Sequence, residues 1–187
     1  SRPSAKGRKV MGDLVPYGKV WRTGANTQTL ITFGDDVKVN GVDIKAGKYT
    51  ILSIPTDSDW EILFCKPTAS VFNYKDSAVI AKVKASSSEF PMYFETLMLV
   101  LVNKTDASLQ LTLLWENTSV QLEITTDIDA KVMSNIEKVM NNDSKPYHAA
   151  ASYYYDNNKD LKKALEWVNM AIVSQPDAFW VSHLKAK

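Results

Sequence analysis

The sequence predicts a mainly β fold, an antiparallel β-sandwich of the jelly-roll kind, followed by a C-terminal α-helical appendage. Up to Thr126, short runs of β-branched and aromatic residues are separated by turn residues about every eight to twelve positions, as in antiparallel sandwiches. After Asp127, apolar residues recur with the helical period of about 3.6. All seven glycines lie at or before Gly47, so the composition also changes along the chain. We therefore expect a β-sandwich domain over residues 1–126 and a helical domain over 127–187.

The β domain is expected to contain about nine short strands. Eight of them read LITF, VKVN, YTILSI, WEILF, AVIAKVK, LMLVLV, LQLTLLW and VQLEIT. Asn40 and Gly41 stand between two alternating runs and predict a tight hairpin, because both residues tolerate a positive φ. The segments NKTDAS (103–108) and ENTS (116–119) are the next expected turns.

Two helices are expected directly after Asp127. The first follows from apolar residues at helical spacing, namely Val132, Met133, Ile136, Val139 and Met140. Ser144, followed by Pro146, predicts the N-cap and the first-turn proline of the second helix.

Two further helices complete the chain. Asp160 predicts the cap of a third helix, whose apolar stripe runs from Leu161 to Ile172 and which ends before Pro176. Asp177 is expected to cap a fourth helix, AFWVSHLKAK.

The final helix is apolar on one side through Phe179, Trp180 and Leu184. Since an aromatic side chain left in water forfeits about 1.5–3 kcal/mol of burial, Phe179 and Trp180 are expected to pack against the third helix. That packing leaves the tyrosine-rich face of the second helix available. We therefore expect Tyr153 or Tyr154 to contact the sandwich or a neighbouring molecule.

From Lys145 onward the spacing resembles one tetratricopeptide repeat (TPR). The matching residues are Ala151 and Tyr155 in the first helix, Ala164, Val168 and Ala171 in the second, and the closing Pro176. His148 and Ser152 depart from the pattern, because the repeat usually carries Trp and Gly there. A single such unit cannot bury its own face, so we expect it to pack against the sandwich, a second chain or residues outside this sequence.

Composition and charge exclude several classes of function. With 45% apolar and 23% charged residues, the chain is predicted to be globular. The net charge is +1, and the excess of basic residues over 1–48 is typical of solvated surface, so no nucleic-acid binding is expected. The longest apolar run, LMLVLV, is far shorter than the roughly 20 residues of a membrane helix, so no membrane span is expected.

No metal or cofactor is expected. The single cysteine, Cys65, lies in the apolar run WEILFCKP and is predicted to be buried and unreactive. His148 and His183 have no neighbouring ligands at the spacing of a tetrahedral zinc site.

The segment WRTGAN (21–26) holds the strongest candidate ligand site. Trp21 offers an aromatic plate, Arg22 a fork of five donors and Asn26 a two-way amide, groups that bind sugars, carboxylates or phosphates. Arg8 is a further candidate of this patch. The carboxylates Glu95 and Glu116 are candidate partners from other strands. The alternative is that Trp21 belongs to the core, Arg22 to a structural ion pair and Asn26 to a turn.

Two stretches, RPSAKGRKVMGDLVPYGKVWRTGANTQTLITF and VKVNGVDIKAGKYTILSIP, carry a family resemblance. With DWEIL, they resemble a bacterial family known as domain of unknown function 2911, over about Arg2 to Ile124. The resemblance implies a β-sandwich with no established activity, so it assigns no catalytic residue. Members of the family are mostly secreted or periplasmic, and the same location is expected here.

Three functions follow as hypotheses. The first is a non-enzymatic extracytoplasmic module that binds a small polar or saccharide ligand, with a helical tail that contacts another protein. The second is a hydrolase that uses paired carboxylates such as Glu95 and Glu116. The third is a scaffold for protein contacts alone.

Overall fold

The computed structural model describes residues 1–142 and 145–187. The chain divides into two compact units, Ser1–Asp127 and Ile128–Lys187. The described residues contain a seven-stranded antiparallel sheet followed by four helices, which confirms the predicted mainly β fold with a helical tail.

We propose that each unit is a domain that folds on its own. Scanning calorimetry of the intact chain should then resolve two transitions, because separate cores unfold independently. A single transition whose calorimetric and van't Hoff enthalpies agree would contradict this prediction.

Of the seven strands in the sheet, the second and third, which form the hairpin, are short and the last two are long. In chain order the strands are β1 Thr29–Phe33, β2 Val37–Val39, β3 Val42–Ile44, β4 Gly47–Pro55, β5 Asp59–Cys65, β6 Val79–Val102 and β7 Ser108–Thr125. A short 3-10 turn, Asp76–Ala78, precedes β6. The strand order is β1-β4-β5-β6-β7-β2-β3.

The expected turn at ENTS is wrong, and so is the division of the chain into about nine strands. AVIAKVK, from Val79 onward, and LMLVLV lie in the one strand β6, and LQLTLLW and VQLEIT lie in β7. β6 pairs first with β5 and then with β7, so the strand runs on where the sequence suggested a break. Glu116, with φ of 50°, marks a bulge. Near it β6 advances from Glu89 to Phe94 while β7 moves only from Thr118 to Glu116.

The hairpin and the second turn are confirmed. Asn40 and Gly41 adopt φ of 44° and 81° and join β2 to β3. The Asn40 side chain also accepts a hydrogen bond from the Glu123 backbone, which fixes the hairpin on the sheet. NKTDAS connects β6 to β7 and closes with a bond from the Thr105 amide to the Ser108 carbonyl.

The core of the β unit is centred on aromatic side chains. Trp60 and Trp115 are fully buried, and Phe64 lies beside Phe33 and Tyr49. Cys65 is buried as predicted, and burial raises the pKa of its thiol, which disfavours the reactive thiolate.

The helical unit contains α1 Asp129–Met140, α2 Tyr147–Asp156, α3 Leu161–Ser174 and α4 Phe179–Ala186. The predicted Asp160 cap is confirmed, because its carboxylate accepts the amides of Lys162 and Lys163. The predicted Ser144 cap lies outside the described residues. The Asp177 cap is wrong: α4 starts after Ala178 without a side-chain capping bond.

The last helix contacts α3, but not through the expected aromatic side chains. Phe179 is 78% exposed and Trp180 51% exposed, whereas Val181 is fully buried. The cause is helical geometry, since Ala178 and Val181 take the buried face and turn Phe179 and Trp180 away from it. The expected burial of these two residues is therefore wrong.

Tyr153 and Tyr154 contact other helices of their own unit. The Tyr153 hydroxyl donates to Asp129 of α1 at 2.8 Å. The buried Tyr154 ring lies 4.8 Å from that of Trp167 in α3. The resemblance of α2 and α3 to a tetratricopeptide repeat stays a prediction.

Candidate functional site

The N-terminal segment lies along the bulged part of β6. The Ala5 amide donates to the Glu95 carbonyl at 2.8 Å, and the Leu97 amide donates to the Pro3 carbonyl at 2.9 Å. The Lys6 amide donates to the Glu95 carboxylate at 2.6 Å. The Glu95 carboxylate thus holds the segment in place, although the sequence made it a candidate ligand contact.

Glu116 has the same structural role further along the N-terminal segment. Its two carboxylate oxygens accept the amides of Val10 at 3.0 Å and Met11 at 3.3 Å. Glu116 has a positive φ and pairs with Phe94, at the place where β6 bulges. Val10 and Met11 are buried, so the two bonds satisfy amides that water cannot reach freely.

Between the segment and the sheet lies an open cleft of about 420 Å³. Its lining comes from four regions of the β unit. These residues are Met11 and Tyr17 of the N-terminal segment, Thr56 and Asp57 between β4 and β5, Ser87, Ser88, Glu89 and Tyr93 of β6, and Glu116, Asn117 and Thr118 of β7.

The cleft is rich in hydrogen-bond acceptors. Asp57, Glu89 and Glu116 contribute carboxylates, and none of the described residues lining the cleft is basic. Within 1–142 and 145–187, the side chains of Asp57 and Glu89 have no hydrogen-bond or ion-pair partner. A negatively charged ligand would therefore meet repulsion here, while hydroxyl and amino donors would be accepted.

Two tyrosines supply aromatic surface at this cleft. Tyr17 packs against Gly12, where an added Cβ would come within 3.1 Å of the Tyr17 ring. Gly12 also adopts φ of 82°, so this position favours glycine on both grounds.

Tyr93 donates its hydroxyl hydrogen bond to Glu95 at 3.3 Å. Partial desolvation and the nearby carboxylates of Glu95 and Glu116 raise the pKa of Tyr93. The hydroxyl therefore stays protonated well above neutral pH.

Trp21 is half-buried and packs against the core. Its ring stacks on Trp115 with centroids 5.8 Å apart and meets Trp60 edge-on at 6.1 Å. Its backbone also pairs with that of Ser53 in β4.

Thr23 and Gly24 of the WRTGAN loop are buried, whereas Asn26 is exposed and its side-chain amide donates to the Ser1 hydroxyl at 3.0 Å. Thr23 is buried and bonded to Ser53, and an added Cβ at Gly24 would lie 2.9 Å from the Thr29 hydroxyl. Arg22 donates to the Asn26 carbonyl at 2.9 Å, and its guanidinium lies 5.1 Å from the Phe72 ring centre.

Of the six sequence-predicted site residues, Glu116 lines the cleft and the other five do not. Arg8 donates to the carbonyls of Ser4 and Ala5 within its own segment. As ligand contacts, all six stay predictions.

Sequence reasoning missed most of the cleft. Asp57, Glu89 and Asn117 lie far apart in the chain, and only the fold brings them together. Two polar runs inside the long strands, SSSE before Phe90 and ENTS, could have indicated the cleft. We had interpreted ENTS as a turn.

The described residues offer no evidence of a metal centre or a membrane helix. Among them, no group of three His, Cys, Asp or Glu side chains is placed to hold a metal ion. None of the described helices is both long and apolar enough to cross a bilayer.

Comparison with known proteins gives a family match that covers most of the chain. No curated protein and no solved structure matches the chain. The family model described as "Protein of unknown function (DUF2911)" matches residues 1–124, nearly the whole β unit with its N-terminal segment and cleft. The chain therefore belongs to the DUF2911 family.

Proposed function

We propose that the β unit is a non-enzymatic binding module whose cleft takes a small polyhydroxylated ligand, a saccharide being the class that fits best. The observation that carries the proposal is the cleft of about 420 Å³ with two tyrosines and three carboxylates. Its volume lies in the range of about 300–1,000 Å³ that is usual for small-ligand sites. Tyrosine rings pack against the apolar faces of sugars, and carboxylates accept their hydroxyl groups.

The charge of the cleft narrows the class of ligand. Asp57 and Glu89 keep their carboxylates free of partners among the described residues, so both can accept hydrogen bonds from a ligand. This argues for neutral or amino-bearing sugars and against the phosphates and carboxylates that the Arg22 hypothesis included.

The proposal extends to location and partners. The family resemblance supports a periplasmic or secreted protein, where saccharides are common ligands. The helical unit would then contact another protein, which its exposed apolar side chains support.

The hydrolase hypothesis has less support. Both oxygens of Glu116 accept backbone amides, and one oxygen of Glu95 does so as well. Carboxylates committed to structural bonds are poor candidates for a general base, which must reach the substrate.

The proposal predicts the behaviour of two variants. Tyr17→Ala and Glu89→Gln should each raise the Kd for a bound oligosaccharide at least about tenfold, a loss of about 1.4 kcal/mol. Isothermal titration against a panel of neutral and amino-bearing oligosaccharides measures this, with Phe72→Ala as a control because Phe72 is highly exposed and does not line the cleft.

The same titration separates the alternatives. If Phe72→Ala lost as much sugar affinity as Tyr17→Ala and Glu89→Gln, the cleft would be refuted as the binding site. Binding of sulfate and phosphate in preference to sugars would refute it as well. Release of shorter sugars from the panel, detected by chromatography, would instead support a hydrolase.

A further inference from the structure

The helical unit has a groove between α2, α3 and the end of α4. It holds about 210 Å³ and is lined chiefly by Tyr155, Leu161, Leu165, Leu184, Lys185 and Lys187. The small residues Ala151 and Ala164 also line its wall, which gives the groove its depth. All of these residues belong to the one compact unit Ile128–Lys187.

The apolar side chains of the groove are exposed although they share one helical face. Leu161 and Leu165 are four residues apart on α3, so they lie one above the other. Both are exposed, Leu165 to 48%, while Val168 in the next turn of the same stripe is buried. The stripe therefore continues from the core of the unit onto an open surface.

The charged side chains that line the groove are both basic. Lys185 and Lys187 line it, and none of its described lining residues is acidic. The Lys187 ammonium lies 6.0 Å from the centre of the Tyr155 ring, which holds it beside the apolar floor.

Two acidic side chains at the ends of α2 and α3 are engaged elsewhere. Asp160 caps α3 and Asp156 accepts a bond from Ser152. Neither of them lines the groove.

We infer that this groove binds an amphipathic helix from a partner protein, with apolar residues on one face and acidic residues beside them. The apolar residues would cover Leu161, Leu165 and Leu184, and the acidic residues would pair with the two lysines. Amphipathic helices commonly dock in grooves in this way. The inference rests on the proposed protein contact of the helical unit and is independent of the saccharide cleft.

Fluorescence anisotropy with the full chain tests the inference. The probes are two labelled synthetic helical peptides of about 18 residues, roughly five helical turns, with the same leucine stripe. One carries glutamate beside the stripe and the other carries lysine at the same positions. The glutamate peptide should bind at least about tenfold more tightly.

Three variants make the test specific. Leu165→Asp should abolish binding of the glutamate peptide, whereas Val173→Asp should leave it unchanged, because Val173 is 80% exposed on the same helix but does not line the groove. The double variant Lys185→Glu with Lys187→Glu should reverse the preference between the two peptides.

Several results would overturn the inference. The two peptides could bind with equal affinity, or neither could bind. Val173→Asp could also lose more affinity for the glutamate peptide than Leu165→Asp does. The last result would move the contact to another face of the helical unit and leave the proposed protein contact standing. A wild-type dimer in light scattering that Leu165→Asp converts to monomer would show that the occupant is a second copy of the chain.

Discussion

Replacing Trp21 with alanine should destabilise the β unit by about 3 kcal/mol, the lower end of the range for buried tryptophan because the ring is half-buried. The variant loses the stacking on Trp115 and the edge contact with Trp60. Each aromatic contact of this kind contributes about 0.5–1.5 kcal/mol beyond its buried area. Urea unfolding followed by far-UV circular dichroism measures the change.

Arg22→Ala is the matched control for Trp21→Ala. Arg22 is the next residue, and its side chain contacts the Asn26 carbonyl and the exposed Phe72 ring. We expect this variant to lose no more than about 1 kcal/mol, as for an ordinary surface hydrogen bond. If Trp21→Ala were as stable as Arg22→Ala but no longer bound a ligand, Trp21 would be a ligand platform and the core assignment would fail.

Glu116→Ala should destabilise the β unit by about 2–4 kcal/mol, because it leaves two amides without their charged acceptor. Those amides belong to Val10 and Met11, which are buried. The N-terminal segment should then detach locally, and its amide hydrogens should exchange faster than those of β4 and β5. Hydrogen exchange with mass spectrometry measures the effect segment by segment.

Glu89→Ala is the matched control for Glu116→Ala. Glu89 lines the same cleft, but its carboxylate has no partner within the described residues. The free energy of unfolding of Glu89→Ala should therefore stay within about 0.5 kcal/mol of the wild-type value. Unchanged protection of the segment in Glu116→Ala would show that the two hydrogen bonds do not hold it.

The fold class follows from local patterns in the sequence. The change in apolar period near Asp127 depends only on which side chains must face a core, and both strands and helices show it within a few residues. The hairpin at Asn40 and Gly41 is equally local, since two residues that tolerate a positive φ are enough to set it. The family resemblance adds the motifs of the N-terminal segment to these patterns and was confirmed over residues 1–124.

Strand boundaries needed the pairing partners. Glu116 to Ser119 has the composition of a turn, yet it continues β7 because β6 lies alongside and absorbs the irregularity as a bulge. Such pairing joins residues far apart in the chain, and local composition does not report it.

The role of each candidate residue was also decided by the tertiary structure. Trp21 and Glu116 looked like ligand contacts because a tryptophan ring and a carboxylate can each serve either in a binding site or in holding the fold together. Packing on Trp115 and bonding to the amides of Val10 and Met11 gave them structural roles. The two kinds of secondary structure, their order along the chain and the hairpin could be predicted from local patterns alone. Only the tertiary structure brought Asp57, Glu89 and Tyr17 to one cleft, because a binding site depends on distances between segments that the order of residues does not specify.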